Sequence, residues 1–203
     1  STLDRSSAAS DVYKRQASWR RSFFNPDQYD KHGKSIASVR AGNVIGGGDW
    51  ALDRIIPDCI KALESGKNID IRNTKSVRPW QHVLEPLSGY MLLTAKIWEE
   101  PTKYCEGWNF GPRAESITSV WDVANDVVKN YGSGGLNDIS IPNAPHEARF
   151  LMLDISKAKF QLGWEPRMNI HQCVALTVDW YKRYTFENVY SLCVDQIKQY
   201  LIK

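Results

Sequence analysis

Two features of this chain have residue types and a spacing that could do chemistry. One is the glycine run Gly46-Gly47-Gly48, reached through Ile36-Ala-Ser-Val-Arg-Ala-Gly-Asn43 and followed by Asp49-Trp50. Glycine lets a backbone come close to a ligand, so such a loop could cradle a phosphate; a plain connecting loop is the alternative. The other is Arg78 in Arg78-Pro-Trp-Gln-His-Val83, where Pro79 fixes the neighbouring backbone. A guanidinium held there could grip an anion through two parallel hydrogen bonds, or form a surface ion pair. Asn43, before the glycines, and Asn109, at the centre of Glu106-Gly-Trp-Asn-Phe-Gly-Pro112, add amide groups.

Other chemistries lack their signatures. The glycine spacing is not that of a dinucleotide-binding turn, and no Gly-Lys-Ser/Thr phosphate loop occurs. Cys59, Cys105, Cys173 and Cys193 lie far apart without zinc spacing, which fits free thiols in a reducing cytoplasm and no metal site. A net charge of +3 with dispersed Lys and Arg gives no basic stripe for nucleic acid. No apolar run approaches the ~20 residues of a membrane span. Eight tryptophans suggest core and pocket walls.

The elements that would position these groups follow from periodicity. Residues 36–39 read as a buried strand delivering the glycine loop. Asp53 to Leu63 has apolar residues three and four apart, an amphipathic helix ending at Ser65-Gly66. Strand, glycine loop and helix in this order is how α/β proteins hold phosphorylated ligands. Asn68 to Asn73 alternates as a strand; residues 74–77 turn; Glu85 to Glu99 reads as a helix. Residues 106–112 form a strand, and Ser116 to Ser119 offers an N-cap for a helix through Val120, Val123, Val127 and Val128. Asp138 to Ile141 suggests a strand, and Ser156 to Gly163 a short helix held down by Trp164. Helices at Ile170 to Tyr184 and Glu187 to Leu201 close the chain. At the start, Ala17 to Phe24 reads as the end of a helix stopped by Asn25-Pro26. Ser1 to Gln16 reads as a polar leader without sustained periodicity, resembling a translated linker.

The motifs Arg40-Ala-Gly-Asn-Val-Ile-Gly-Gly-Gly-Asp-Trp50, Ile71-Arg-Asn73, Arg78 to Tyr90, Gly107-Trp-Asn-Phe-Gly-Pro112, and Asp154-Ile-Ser-Lys-Ala158 with Leu162-Gly-Trp-Glu-Pro166 stand in a telling order. From about Ala17 onward the chain resembles the extended short-chain dehydrogenase/reductases, within them the branch of the CDP-glucose 4,6-dehydratases. The resemblance implies an α/β fold: the C-terminal part of a Rossmann-type protein with its smaller nucleotide-sugar-binding domain. It divides the chain into a leader (1–16), the last part of the Rossmann domain (17–50), a nucleotide-sugar-binding region (51–185) and a C-terminal helix (186–203).

By that resemblance Asn43 lies near the substrate pyrophosphate, Arg54 at the start of the next helix, and Arg78 clamps the pyrophosphate. Ile71 and Arg72 wall in the base, Asn109 lies on the nucleotide side, and His146 near the ribose or phosphates. Ala41 and Gly42 adjoin the nicotinamide end of NAD, the implied cofactor. The implied chemistry takes hydride from C4 of glucose to NAD, eliminates water across C5 and C6, and returns hydride to C6. The implied substrate is CDP-glucose, and the full-length protein would be a cytoplasmic homodimer.

Three departures bear on activity. The glycine fingerprint for NAD, the catalytic Tyr-x-x-x-Lys and the acid/base carboxylates belong upstream of Phe24; Tyr13 is followed four residues later by Ala17, not lysine. The expectation is therefore a truncated chain that holds the substrate without catalytic residues. Two alternatives stay open: another nucleotide-sugar epimerase or dehydratase, and a non-catalytic nucleotide-sugar-binding module.

Overall fold

The computed structural model describes residues 2–140 and 151–202, with side chains from residue 13 onward. In chain order the elements are α1 (Thr2–Phe23), α2 (Tyr29–His32), β1 (Ser38–Ala41), β2 (Asn43–Ile45), α3 (Ile55–Glu64), β3 (Ile69–Ile71), β4 (Val77–Arg78) and β5 (Trp80–His82). They continue with α4 (Leu84–Glu99), β6 (Gly107–Phe110), β7 (Thr118–Ser119), α5 (Val120–Tyr131), β8 (Leu136–Asp138), α6 (Ile170–Arg183) and α7 (Val189–Ile202). Helix α1 takes in residues 2–16 as well as the helix end expected from Ala17, and the chain breaks at Asn25-Pro26, where Asn25 caps a 3-10 turn.

Strands pair in twos. β1 runs parallel to β6, β2 to β5 and β3 to β8, while β4 and β7 are antiparallel. The run expected as one strand at 36–39 is two strands, shifted toward the glycines. The switch falls between neighbouring residues: Gly42 N–H donates to Phe110 O (3.2 Å), and Asn43 N–H donates to Pro79 O (2.8 Å). Glycine is required there, because a Cβ on Gly42 would lie 2.2 Å from the Pro79 carbonyl oxygen. Strand pairing also organises residues 77–82, which alternation alone had not marked, as β4 and β5 on either side of Pro79, a residue without an N–H to give to a ladder. Of the strand expected at 138–141, residue 141 lies outside the described residues, and the strand observed is 136–138, where β3 supplies its partner.

Helices form where local chemistry favours them. Ser119 caps α5, its hydroxyl accepting from Asp122 N–H at 3.1 Å. Val123, Ala124 and Val127 then form a fully buried stripe facing α3 and α6. Each large aliphatic side chain buried in this way is worth about 1.5–3 kcal/mol. Asn169 and Gln172 make a reciprocal capping box that starts α6. Ser156 does not cap the following turn; its N–H is bound by Asp154, and the turn is a π-type one at Ala158–Leu162 ended by Gly163 at φ 71°.

Two cores result. The larger joins α3, α5, α6 and α7 through Ile60, Val127, Val174 and Leu192; the smaller joins α4 and β6 to the 158–164 turn through Leu93, Phe110 and Trp164. Cys59, Cys105 and Cys173 are buried and Cys193 is exposed, with none of the four in a disulfide.

Candidate functional site

At the edge of the larger core, to which Ile45 and Trp80 belong, β2 and β5 lie side by side with Asn43 opposite Trp80. Two clefts open at this pair, of about 240 and 630 Å³, and both are lined by Asn43, Asp53, Ile55 and Trp80. The smaller extends to Gly46, Asp49 and Arg54. The larger extends along β3 to Ile69, Ile71, Arg72 and Asn73, and to Ser76 and Arg78. The two adjoin, sharing Asn43, Asp53, Ile55 and Trp80 in their walls.

Five residues expected at a site meet here: Asn43 and Arg54 at the smaller cleft, and Asn43, Ile71, Arg72 and Arg78 at the larger. Asn109 does not line either; its amide donates to Asp154 O at 3.1 Å and ties β6 to the following segment. Ala41 and Gly42 sit at the strand switch and line neither cleft. His146 lies outside the described residues. Residues singled out only by tertiary structure are Asp53, Asp58, Ser76 and Trp80.

The rim carries both signs of charge. Arg72 pairs with Asp53 at 2.8 Å, but the side chains are 73% and 79% exposed, so the pair is worth only about 0–1 kcal/mol and can open to a ligand. Asp53 holds a left-handed backbone (φ 58°), at a cost of roughly 1 kcal/mol for a residue with a Cβ. Arg78 is half-buried, and its Nη1 donates to Val77 O at 2.9 Å, which steadies the fork at the cleft. Burial pushes the Asp58 carboxyl above its ordinary range, with Asp53 adding to the rise while Lys61 and Arg72 oppose it. Among the described residues no cluster of His, Cys, Asp and Glu could hold a metal ion, and no helix is long and apolar enough to cross a membrane.

The glycine run has a packing role. A Cβ on Gly47 would stand 2.0 Å from the Trp180 ring, so the glycine lets the loop lie flat on α6. Trp180 stacks on Tyr184 at 5.2 Å between centroids, Trp50 meets Tyr181 edge-on, and the Tyr181 hydroxyl donates to Asp49 O at 2.5 Å. Burial raises that hydroxyl's pKa to about 12, so it stays a donor at neutral pH. The loop bordering the smaller cleft is thereby fixed from behind. Gly47→Ala is expected to destabilise the fold by about 1–3 kcal/mol through overpacking, measured by thermal unfolding; an unchanged midpoint would mean that the loop is not held by Trp180.

No family model matches the chain. Over 166 residues it is 49% identical to CDP-glucose 4,6-dehydratase of Salmonella typhimurium, covering 82% of this chain and 46% of that protein. Over 139 residues it is 46% identical to dTDP-glucose 4,6-dehydratase of Xanthomonas campestris pv. campestris, covering 64% of this chain and 38% of that protein. The chain thus spans about half, or less, of the length of these relatives. The crystal structure of dTDP-glucose 4,6-dehydratase from Bacillus anthracis in complex with NAD superposes with a TM-score of 0.61 at 19% identity, over 81% of this chain and 50% of that one. The fold is that of one part of a Rossmann-type nucleotide-sugar enzyme.

Proposed function

We propose that this chain, a relative of CDP-glucose 4,6-dehydratase with the fold of the nucleotide-sugar dehydratases and epimerases, is the C-terminal, substrate-binding portion of an enzyme converting CDP-glucose to CDP-4-keto-6-deoxyglucose. The observation that carries the reading is the pair of adjoining clefts: together they gather Asn43, Arg54, Ile71, Arg72 and Arg78, drawn from four places in the sequence. An apolar and cationic end at Ile71 and Arg72 suits a base. Arg78 at mid-groove suits a diphosphate, which matches a guanidinium fork. The smaller cleft beyond Trp80 has room for a sugar. Asn109 and His146 take second-rank places in this reading, the former as support for β6 and the latter by resemblance alone.

NAD, present in the Bacillus anthracis structure, is the cofactor assigned to the full-length enzyme, where it would accept and return the hydride. By resemblance Ala41 and Gly42 adjoin its nicotinamide end, while the dinucleotide glycine fingerprint does not occur in this sequence. A Cβ on Gly42 would meet the Pro79 carbonyl oxygen, so glycine lets the two backbones approach there. The part this chain plays is to bind and orient the nucleotide sugar, and alone it is read as inactive. The full-length enzyme is read as a cytoplasmic homodimer.

Calorimetric titration of the folded chain with CDP and UDP tests the assignment. CDP is expected to bind, and more tightly than UDP. Equal or tighter UDP binding would favour an epimerase or dehydratase of another nucleotide sugar, and a folded chain that binds neither would reject the binding role.

A further inference from the structure

Residues 76 to 80 run as an extended segment with every second residue facing the larger cleft. Ser76, Arg78 and Trp80 line it, while Val77 and Pro79 do not. Side chains two apart on an extended chain share a face, so this one segment delivers three consecutive donors to one wall. The segment cannot swing away. Ser76 O accepts from Val120 N–H at 2.8 Å, and Trp80 is held opposite Asn43 in the β2–β5 pair.

Two of the three donors have nothing to bind. The Ser76 hydroxyl and the Trp80 indole N–H are buried, in residues 3% and 7% exposed, and neither has a hydrogen-bond partner. Buried polar groups are nearly always paired, because leaving one unmade forfeits its hydration with no return. Two such groups in the wall of one cleft, on either side of the arginine, therefore point to an acceptor that arrives from outside. Both residues line the cleft although these two atoms are themselves buried, so a ligand reaches them when the wall adjusts.

Building on the nucleotide reading, we infer that Ser76 and Trp80 are ligand-binding residues, their O–H and N–H donating to oxygen atoms of a nucleoside diphosphate held by Arg78. The row then presents neutral, charged and neutral donors in turn along the ligand. A hydroxyl and an indole N–H donate without adding charge, so they favour ligands with oxygen atoms at fixed places over anions in general. Trp80 also links the two clefts, since it lines both.

The decisive measurement pairs ligand affinity with the stability of the free chain. For Ser76→Ala, the CDP dissociation constant is expected to rise about tenfold, the size of one lost hydrogen bond to a charged acceptor. Its ligand-free melting temperature is expected to hold or rise, because an unpaired buried hydroxyl has been removed. A hydroxyl with a structural role would give the reverse pattern. Trp80→Phe, which keeps an aromatic ring and removes the N–H, is expected to weaken CDP by a similar factor. Unaltered affinity in Ser76→Ala, while the parent chain binds CDP, would overturn the inference and leave the nucleotide reading in place, as would a lowered ligand-free melting temperature. Failure of the parent chain itself to bind CDP would overturn both.

Discussion

Glu85→Ala is expected to destabilise the fold by about 3–5 kcal/mol, because it strands several buried donors at once and leaves a cavity. Glu85 is fully buried in the first turn of α4. Its Oε1 accepts from Arg167 N–H at 2.9 Å and Met168 N–H at 2.7 Å, and its Oε2 accepts from the Tyr200 hydroxyl at 3.0 Å. The Tyr200 oxygen also lies 2.9 Å from Ser88 Oγ, to which the Trp164 indole donates. One carboxyl thus ties α4, the 164–168 segment and α7 together, across more than eighty residues of sequence. Urea unfolding at neutral pH measures the loss, and a change below about 1 kcal/mol would show that these elements hold together without it.

Glutamine at the same place separates hydrogen bonding from charge. The amide oxygen can accept both backbone N–H groups and the amide N–H₂ can donate to the Tyr200 oxygen, so Glu85→Gln is expected to cost less than about 1 kcal/mol. The sign of the pH effect follows from the carboxyl itself. Burial holds its pKa above the ordinary 4.5, against the hydrogen bonds from Arg167, Met168 and Tyr200 that would lower it. A folded-state value above the unfolded one means that the protonated form favours the fold. That contribution is complete below about pH 4.5 and is lost as the pH rises through the folded-state value. The glutamine variant removes this slope, and an unchanged pH profile would assign it to other groups.

The second large effect is on binding. Arg78→Ala is expected to weaken CDP by about 2–4 kcal/mol, roughly 30- to 900-fold, through the loss of a charged clamp on the diphosphate. Its position makes a loss of that size reasonable: the side chain is half-buried, one guanidinium nitrogen is anchored on Val77 O, and Pro79 stiffens the backbone beside it. Arg78→Lys keeps the charge and loses the fork, so it should recover only part of the affinity. Because Arg78 lies outside both cores, the alanine variant should melt near the parent temperature. A Kd within threefold of the parent, with folding intact, would remove the diphosphate from this position and shift attention to Arg54 and Arg72.

Much of the local structure was legible in the sequence. The period of α3, α4, α5 and α6, the Ser119 cap, the end of α3 at Ser65-Gly66 and the stop at Asn25-Pro26 depend on contacts within a few residues, which the sequence carries directly. Arg78 could be singled out for the same reason, since its neighbour is a proline. The order of the motifs sufficed to read the family and the α/β class. Strand limits were less legible, as the 36–39 and 138–141 cases show, because a strand is defined by a partner that lies 30 to 70 residues away in sequence.

What tertiary structure alone decided is which groups share a surface. The glycine run looked like a ligand cradle, and its middle residue turned out to lie against Trp180, more than 130 residues later. Asn109, expected on the nucleotide side, donates its amide N–H to Asp154 O, a partner 45 residues away. Ser76 carried no local signal and Trp80 only its place in the motif beside Arg78, yet they flank Arg78 in the cleft wall with donors unmatched. The sequence by itself carried the family resemblance and the helices, since these rest on motif order and short-range chemistry; the cleft, its second row of donors and the Glu85 clasp arise only when distant segments are brought within hydrogen-bond range, and no local pattern encodes that distance.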